Sequence, residues 1–148
     1  MASLSLSLQQ RRALVDSSAY LALIDEDDEN HQAAVAILGQ LISGRFRQFT
    51  ANYMLAEAHA LILSTLGNQK ANEFLRSILA GNTVVVRANP RGEVMAREIL
   101  FRYTDKNFSY NDAISFAVMT RLGISLAFSF DDDFRQYGLI VLTPEFFN

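Results

Sequence analysis

Ala13-Leu14-Val15-Asp16-Ser17-Ser18-Ala19-Tyr20-Leu21-Ala22-Leu23-Ile24 changes periodicity across a single acid. Ala13 to Val15 reads as a short buried strand that stops at Asp16, and Ser17 to Ile24 reads as a helix. The same alternation continues along the chain. The acidic run Asp25-Glu26-Asp27-Asp28-Glu29 reads as a solvated turn. His31, Ala34, Val35, Leu38, Leu41 and Ile42 then keep the three-and-four spacing of an amphipathic helix that Gly44 ends. Gln48 to Ala51 is the second strand. Met54, Leu55, Ala58, Leu61, Ile62 and Thr65 trace a helix closed by Gly67, with a neighbour over 68–79. Thr83 to Arg87 is a β-branched run and reads as a strand. Pro90 opens a helix to about Tyr103, and Ser109 opens another that stops near Gly123. Ser125 to Phe130 and Leu139 to Leu142 complete the strands. Strands alternating with helices imply right-handed crossovers. The expected fold is therefore α/β, a three-layer sandwich with a mainly parallel central sheet flanked by helices.

A chain of 148 residues is the size of one domain, expected over 11–148, behind a frayed, disordered tail at 1–10. Half the residues are hydrophobic and 20% are charged, which excludes the disordered class. There is no cysteine, hence no disulfide and no thiolate chemistry. The Ser/Leu-alternating start makes a poor signal peptide, and no window reaches the roughly 18 apolar residues of a membrane span. These readings together suggest a cytoplasmic protein. The net charge is −3, yet five of the 16 acids lie in the run 25–29, and the remaining acids are outnumbered by 13 basic residues. The total charge therefore leaves a polyanionic substrate open, because steering depends on local fields.

Four acids fall where a parallel sheet would gather them: Asp16 and Asp131 at strand ends, Glu57 inside a helix and Asp112 at the start of another. In open α/β sheets the carboxyl ends of the strands face one crevice. Carboxylates brought that close share a proton or bind a cation, and an all-oxygen set selects Mg²⁺ or Mn²⁺. Each acid also has a plainer reading. Asp16 is placed to cap the helix at Ser17, and Ser109-Tyr110-Asn111-Asp112 matches a capping box. Asp131-Asp132-Asp133 suits a solvated turn, and Glu57 suits a surface edge, although its helix face looks apolar and a carboxylate there needs a partner. Neither His31 nor His59 belongs to a His-x-x-x-His pair, which argues against zinc, and no glycine-rich phosphate loop is present. Lys70 and Lys106 are poorly placed for a phosphoacceptor module.

Four segments carry a resemblance: Leu14-Val15-Asp16-Ser17-Ser18-Ala19; Leu55-Ala56-Glu57; Tyr103-Thr104-Asp105-Lys106 through Ser109-Tyr110-Asn111-Asp112-Ala113-Ile114-Ser115-Phe116; and Ala127-Phe128-Ser129-Phe130-Asp131-Asp132-Asp133-Phe134. Over about residues 12 to 143 the chain resembles the PIN-domain family of metal-dependent nucleases, in particular the small VapC-type toxins of toxin–antitoxin pairs. The resemblance implies that Asp16, Glu57, Asp112 and Asp131 are catalytic and bind one or two Mg²⁺ or Mn²⁺ ions. Ser17 and Ser129 would support them, and Asp105 is peripheral. Two positions depart from the family pattern: Asn111 replaces the more usual Thr and Asp133 a frequent His. Either Asp131 or Asp133 is then the metal contact. The implied function is an endoribonuclease acting on RNA, with an antitoxin across the active-site groove and a homodimeric assembly; the alternative is a catalytically weak PIN-type module that binds nucleic acid or protein. Arg45, Arg47, Arg87 and Arg91, near loops and element ends, are the candidate phosphate contacts. Tyr53 and Tyr110 are either stacking platforms or core residues.

Overall fold

A computed structural model describes residues 6–147. Five strands, β1 (Arg12–Val15), β2 (Arg47–Ala51), β3 (Val84–Val86), β4 (Leu126–Phe128) and β5 (Ile140–Val141), form one sheet in the order β3-β2-β1-β4-β5. Every neighbouring pair is parallel. Seven helices cover it: α1 (Ser17–Ile24), α2 (His31–Ser43), α3 (Asn52–Leu66), α4 (Asn68–Ala80), α5 (Pro90–Arg102), α6 (Tyr110–Leu122) and α7 (Asp133–Tyr137). A 3-10 helix, Pro144–Phe147, follows β5. None of these helices is long and apolar enough to cross a membrane.

The strand period of two sorts the core into two layers. Ala13, Val15, Leu126 and Phe128 face one side with residues of α1 to α4; Leu14, Phe49, Ala51 and Ala127 face the other with α5, α6 and α7. Leu14 is fully buried between Phe49 of β2 and Ala127 of β4, as a strand covered on both faces requires. The chain leaves β1 toward β2 on one side and returns to β4 on the other. The end of β1 is thus the switch point where an open sheet forms its crevice. Thr50, fully buried on β2, helps to fix it by donating its hydroxyl proton to the Val15 carbonyl at 2.9 Å.

The strands after residue 80 are shorter than their apolar runs, because pairing covers only Val84–Val86, Leu126–Phe128 and Ile140–Val141. The Asp131-Asp132-Asp133 triplet is not a simple solvated turn: α7 starts at Asp133 with Asp132 as N-cap, and its Phe134 is fully buried. Of the expected tail, residues 1–5 lie outside the described residues. Within 6–10, the Ser7 carbonyl accepts from the amides of Gln10 and Arg11, and Leu6 packs against the core.

Candidate active site

Asp16 follows the last residue of β1, and its amide extends the ladder by donating to the Phe128 carbonyl at 3.0 Å. Across the switch point β4 delivers Ser129 and Asp131, while α3 brings Tyr53 and Glu57, α6 brings Asn111 and Asp112, and α7 brings Asp133. All except Ser129 line one cleft of about 560 Å³.

Asp16 is 9% exposed, and its Oδ2 accepts hydroxyl protons from Ser18 and Ser129, each at 2.9 Å. Those two oxygens in turn accept the amide protons of Phe130 and Asp131 at 3.0 Å. The paired serines therefore tie the β1 carboxylate to the backbone leaving β4. Ser17 directs its hydroxyl to Glu57 Oε1, and Asn111 Nδ2 donates to Glu57 Oε2 at 3.3 Å. Glu57 is an exposed residue of α3 turned to the rim of the cleft, with the partners that a carboxylate on that face needs. Asp112 fills two roles. Its Oδ2 accepts from the Ser109 amide and its own amide donates to Ser109 Oγ, both at 3.0 Å, completing the capping box; it also lines the cleft. Asp131 Oδ1 accepts from the Asp133 amide at 3.0 Å, so the start of α7 turns Asp133 toward the same space.

Carboxylate oxygens of Asp112, Asp131 and Asp133 lie within 4.8 Å of one another. Among the described residues the ion pairs are Lys106–Asp105 and Arg135–Asp132, so no cationic side chain neutralises this group. Proton affinities rise accordingly. Burial pushes Asp112 up to about 6, with the adjoining Asp133 adding to it. Burial also raises Asp131, and the charges of Asp112 and Asp16 reinforce the shift. For Asp16 burial outweighs its hydroxyl donors and Glu57 contributes a further increase. An oxygen-only set under mutual repulsion, with no Lys or Arg in its walls, fits a hard divalent cation. Asp16 and Glu57 flank the three-carboxylate group, and Asp133 stands within it.

Ion uptake would displace the proton that burial and the neighbouring Asp133 retain on Asp112. Mn²⁺ affinity measured by calorimetry should rise about tenfold per pH unit toward pH 6 and level off above it, with proton release seen as a buffer-dependent heat. For the metal-free fold the sign is opposite. The folded carboxyl of Asp112 lies above its ordinary value of 3.8, so its stabilising contribution is complete below 3.8 and is lost as pH rises through about 6. A pH-independent Mn²⁺ affinity between pH 5 and 7 would contradict this coupling.

Asp105 and the four expected arginines do not line the cleft. Asp105 is exposed and pairs with Lys106 at 3.7 Å. Arg45 and Arg47 line a separate groove with Phe46, Asn82 and Thr83, and neither Arg87 nor Arg91 lines the cleft. Tyr53 is half-buried, its hydroxyl 2.7 Å from Ser115 Oγ. Ser115 gives its own proton to the Asn111 carbonyl at 2.9 Å, so Tyr53 is the donor in that pair. Sequence reasoning assigned no role to Ser18, although the Ser17-Ser18 pair directly after Asp16 was the available signal. Asn111 gave no signal at all for its bond to Glu57, because α3 and α6 meet only through the fold.

A parallel α/β sandwich with a carboxylate cleft at its switch point defines the class. Residues 13–139 match the PIN domain, and the chain belongs to that family. It is 31% identical over 131 residues to the 23S rRNA-specific endonuclease VapC20 of Mycobacterium tuberculosis, covering 88% of this chain and 98% of that protein. The crystal structure of VapC20, described as a toxin cleaving the sarcin-ricin loop, superposes with a TM-score of 0.80 at 30% identity over 89% of this chain and 99% of that one. A VapC ribonuclease of Archaeoglobus fulgidus is 30% identical over 125 residues, covering 82% of this chain and 78% of its own length. At 15% identity, FitAcB of Neisseria gonorrhoeae shares the fold, with a TM-score of 0.66 over 89% of this chain and 97% of that one.

Proposed function

We propose that this protein is a metal-dependent endoribonuclease and the toxin of a toxin–antitoxin pair, acting in the cytoplasm as a homodimer. The observation that carries this reading is the convergence of Asp112, Asp131 and Asp133 from three elements to within 4.8 Å, in a cleft that Asp16 and Glu57 also line. Kinship with VapC20 over nearly its whole length makes a structured ribosomal RNA loop the first substrate to test.

Asp112, Asp131 and Asp133, with Asp16 beside them, are the groups that would hold one or two Mg²⁺ or Mn²⁺ ions. A bound ion supplies a water of lowered pKa and positive charge for the phosphoryl oxygens. The chain's own residues do the rest. Asp16 is held by Ser18 and Ser129, so its carboxylate does not reorganise as charge develops. Glu57, steadied by Ser17 and Asn111, accepts the proton of the attacking water. The water oxygen bonds to phosphorus as the bond to the leaving ribose oxygen breaks, and that oxygen takes its proton from solvent. No histidine is required. Asn111 and Asp133, the two departures from the family pattern, both serve the acid site, which favours a working nuclease over a binding module.

The deciding experiment incubates the purified protein with a ribosomal RNA loop fragment in Mg²⁺, Mn²⁺ or EDTA, beside a folded Asp16→Asn/Asp112→Asn control. Metal-dependent cleavage absent from the control supports the reading; equal cleavage by the control ends it. Asn111→Ala is expected to cost about tenfold to a hundredfold in turnover, as loss of an outer hydrogen bond does, with Tm nearly unchanged. Asn111→Gln should recover part of the loss. Unaltered turnover in Asn111→Ala would show that Glu57 holds its position without the amide.

A further inference from the structure

The acidic cleft contains no Lys or Arg to meet a phosphate backbone, but an arginine bonds the tyrosine set between two residues of its lining. Tyr110 stands between Ser109 and Asn111, which both line the cleft, and it is 43% exposed. From α5, Arg97 reaches across and donates Nη1 to the Tyr110 hydroxyl at 3.1 Å. Arg97 is exposed, and among the described residues it joins no ion pair, although Glu93 lies one turn before it. A guanidinium bonded to a neutral phenol keeps its full charge and its remaining donors for an anion. The bond also restrains the phenol ring, lowering the entropy lost when a ligand stacks on it. Phe101, one turn beyond Arg97 on α5, is 74% exposed and widens the apolar surface of that helix. Neither exposed ring contributes much to the core. Tyr53, the other aromatic near the acids, is half-buried with its hydroxyl committed to Ser115.

We propose that Tyr110 and Arg97 form the RNA-binding strip at the mouth of the cleft, the Tyr110 ring stacking on an unpaired base beside the scissile phosphate and Arg97 holding a neighbouring phosphate. The proposal takes its substrate class from the nuclease reading and adds the surface that selects single-stranded or looped RNA. Stacking asks only for a free base face, so paired RNA is excluded at this position. The arginine provides the positive charge that the carboxylate walls lack.

The test measures fluorescence anisotropy of a fluorescein-labelled RNA hairpin with an unpaired loop. Asp16→Asn protein blocks turnover and serves as the parent. Adding Tyr110→Ala should weaken binding about tenfold or more, whereas Tyr110→Phe, which keeps the ring, should recover most of it. Adding Arg97→Ala should reduce the slope of log affinity against log salt by about 0.7, the loss of one phosphate contact to a single strand. In otherwise active protein, Tyr110→Ala should raise KM and leave kcat within about twofold. Equal RNA affinity of the Tyr110→Ala variant and its parent overturns the proposal. So does a loss of affinity that appears only with a changed oligomeric state in sedimentation, which would make this surface a protein interface. If the active protein cleaves no RNA while the anisotropy arm shows the expected losses, the nuclease reading falls and the binding strip stands.

Discussion

Asp112→Asn is expected to lower RNA cleavage by about three orders of magnitude, roughly 4 kcal/mol of barrier, and at the same time to raise the Tm of the metal-free protein. Both effects follow from one geometry. The Asp112 carboxylate shares a space with Asp131 and Asp133, their oxygens within 4.8 Å, and burial, reinforced by Asp133, pushes its pKa up to about 6. Near neutral pH without metal the fold therefore bears the cost of a charge it disfavours. A neutral amide of the same shape removes that cost. Asp112 is only half-buried, so solvent screening leaves a gain of about 1 kcal/mol, or a Tm higher by about 2–4 °C in a domain of this size. The cap survives, because the Asn oxygen can still accept from the Ser109 amide. With saturating Mn²⁺ the order reverses: the parent gains stability by binding, and the variant gains far less. Thermal melts with and without Mn²⁺, alongside cleavage rates, read all of this. A variant that loses activity and also melts lower without metal would indicate damage to α6 rather than loss of a ligand. Retained cleavage would place Asp112 outside the chemistry.

The sequence revealed the frame of the site better than its interior, for physical reasons. β1 and β4 are covered on both faces, so Ala13-Leu14-Val15 and Leu126-Ala127-Phe128 are unbroken apolar runs, and the acids that follow them must come to the carboxyl edge of the sheet. The order of elements thus brought Asp16 and Asp131 together before any contact was known. Which carboxylates cluster most tightly was not legible. Asp133 joins Asp112 and Asp131 because α7 begins there, and a five-residue helix with one fully buried side chain leaves almost no periodic signal. The Asn111–Glu57 bond spans 54 residues and depends on how α3 approaches α6. The arginines chosen from loop positions lie away from the acids for a related reason. Nearness to a loop says nothing about which end of the sheet that loop occupies. Arg45 and Arg47 accordingly line a groove that shares no residue with the acidic cleft, while Arg97, in mid-helix, bonds Tyr110, whose neighbours Ser109 and Asn111 line it.

Phe116→Ala should cost about 3–5 kcal/mol, enough to lower Tm by on the order of 10 °C, and should also weaken Mn²⁺ binding although Phe116 touches no ligand site. Phe116 is fully buried at the centre of an aromatic cluster. It stacks on Tyr137 at 4.3 Å with the rings 7° from parallel, and meets Phe134 and Phe108 edge-on at 5.4 and 5.1 Å. Phe116 lies one turn beyond Asp112 on α6, and Phe134 is the residue after Asp133 on α7. The ring is thus the spacer that sets α6 against α7, and with it the distance between Asp112 and Asp133. A cavity there lets the helices shift, and carboxylates that repel one another will move apart. Phe74→Ala provides the comparison, since Phe74 is 3% exposed in the opposite core layer, packed on Tyr20 at 5.0 Å. It should cost a similar stability yet leave Mn²⁺ affinity unchanged at a temperature where both variants are folded. Phe116→Leu, which refills most of the volume, should restore part of both properties. Equal losses of Mn²⁺ affinity in the two alanine variants would mean that overall stability, and not the α6–α7 spacer, governs the acid site.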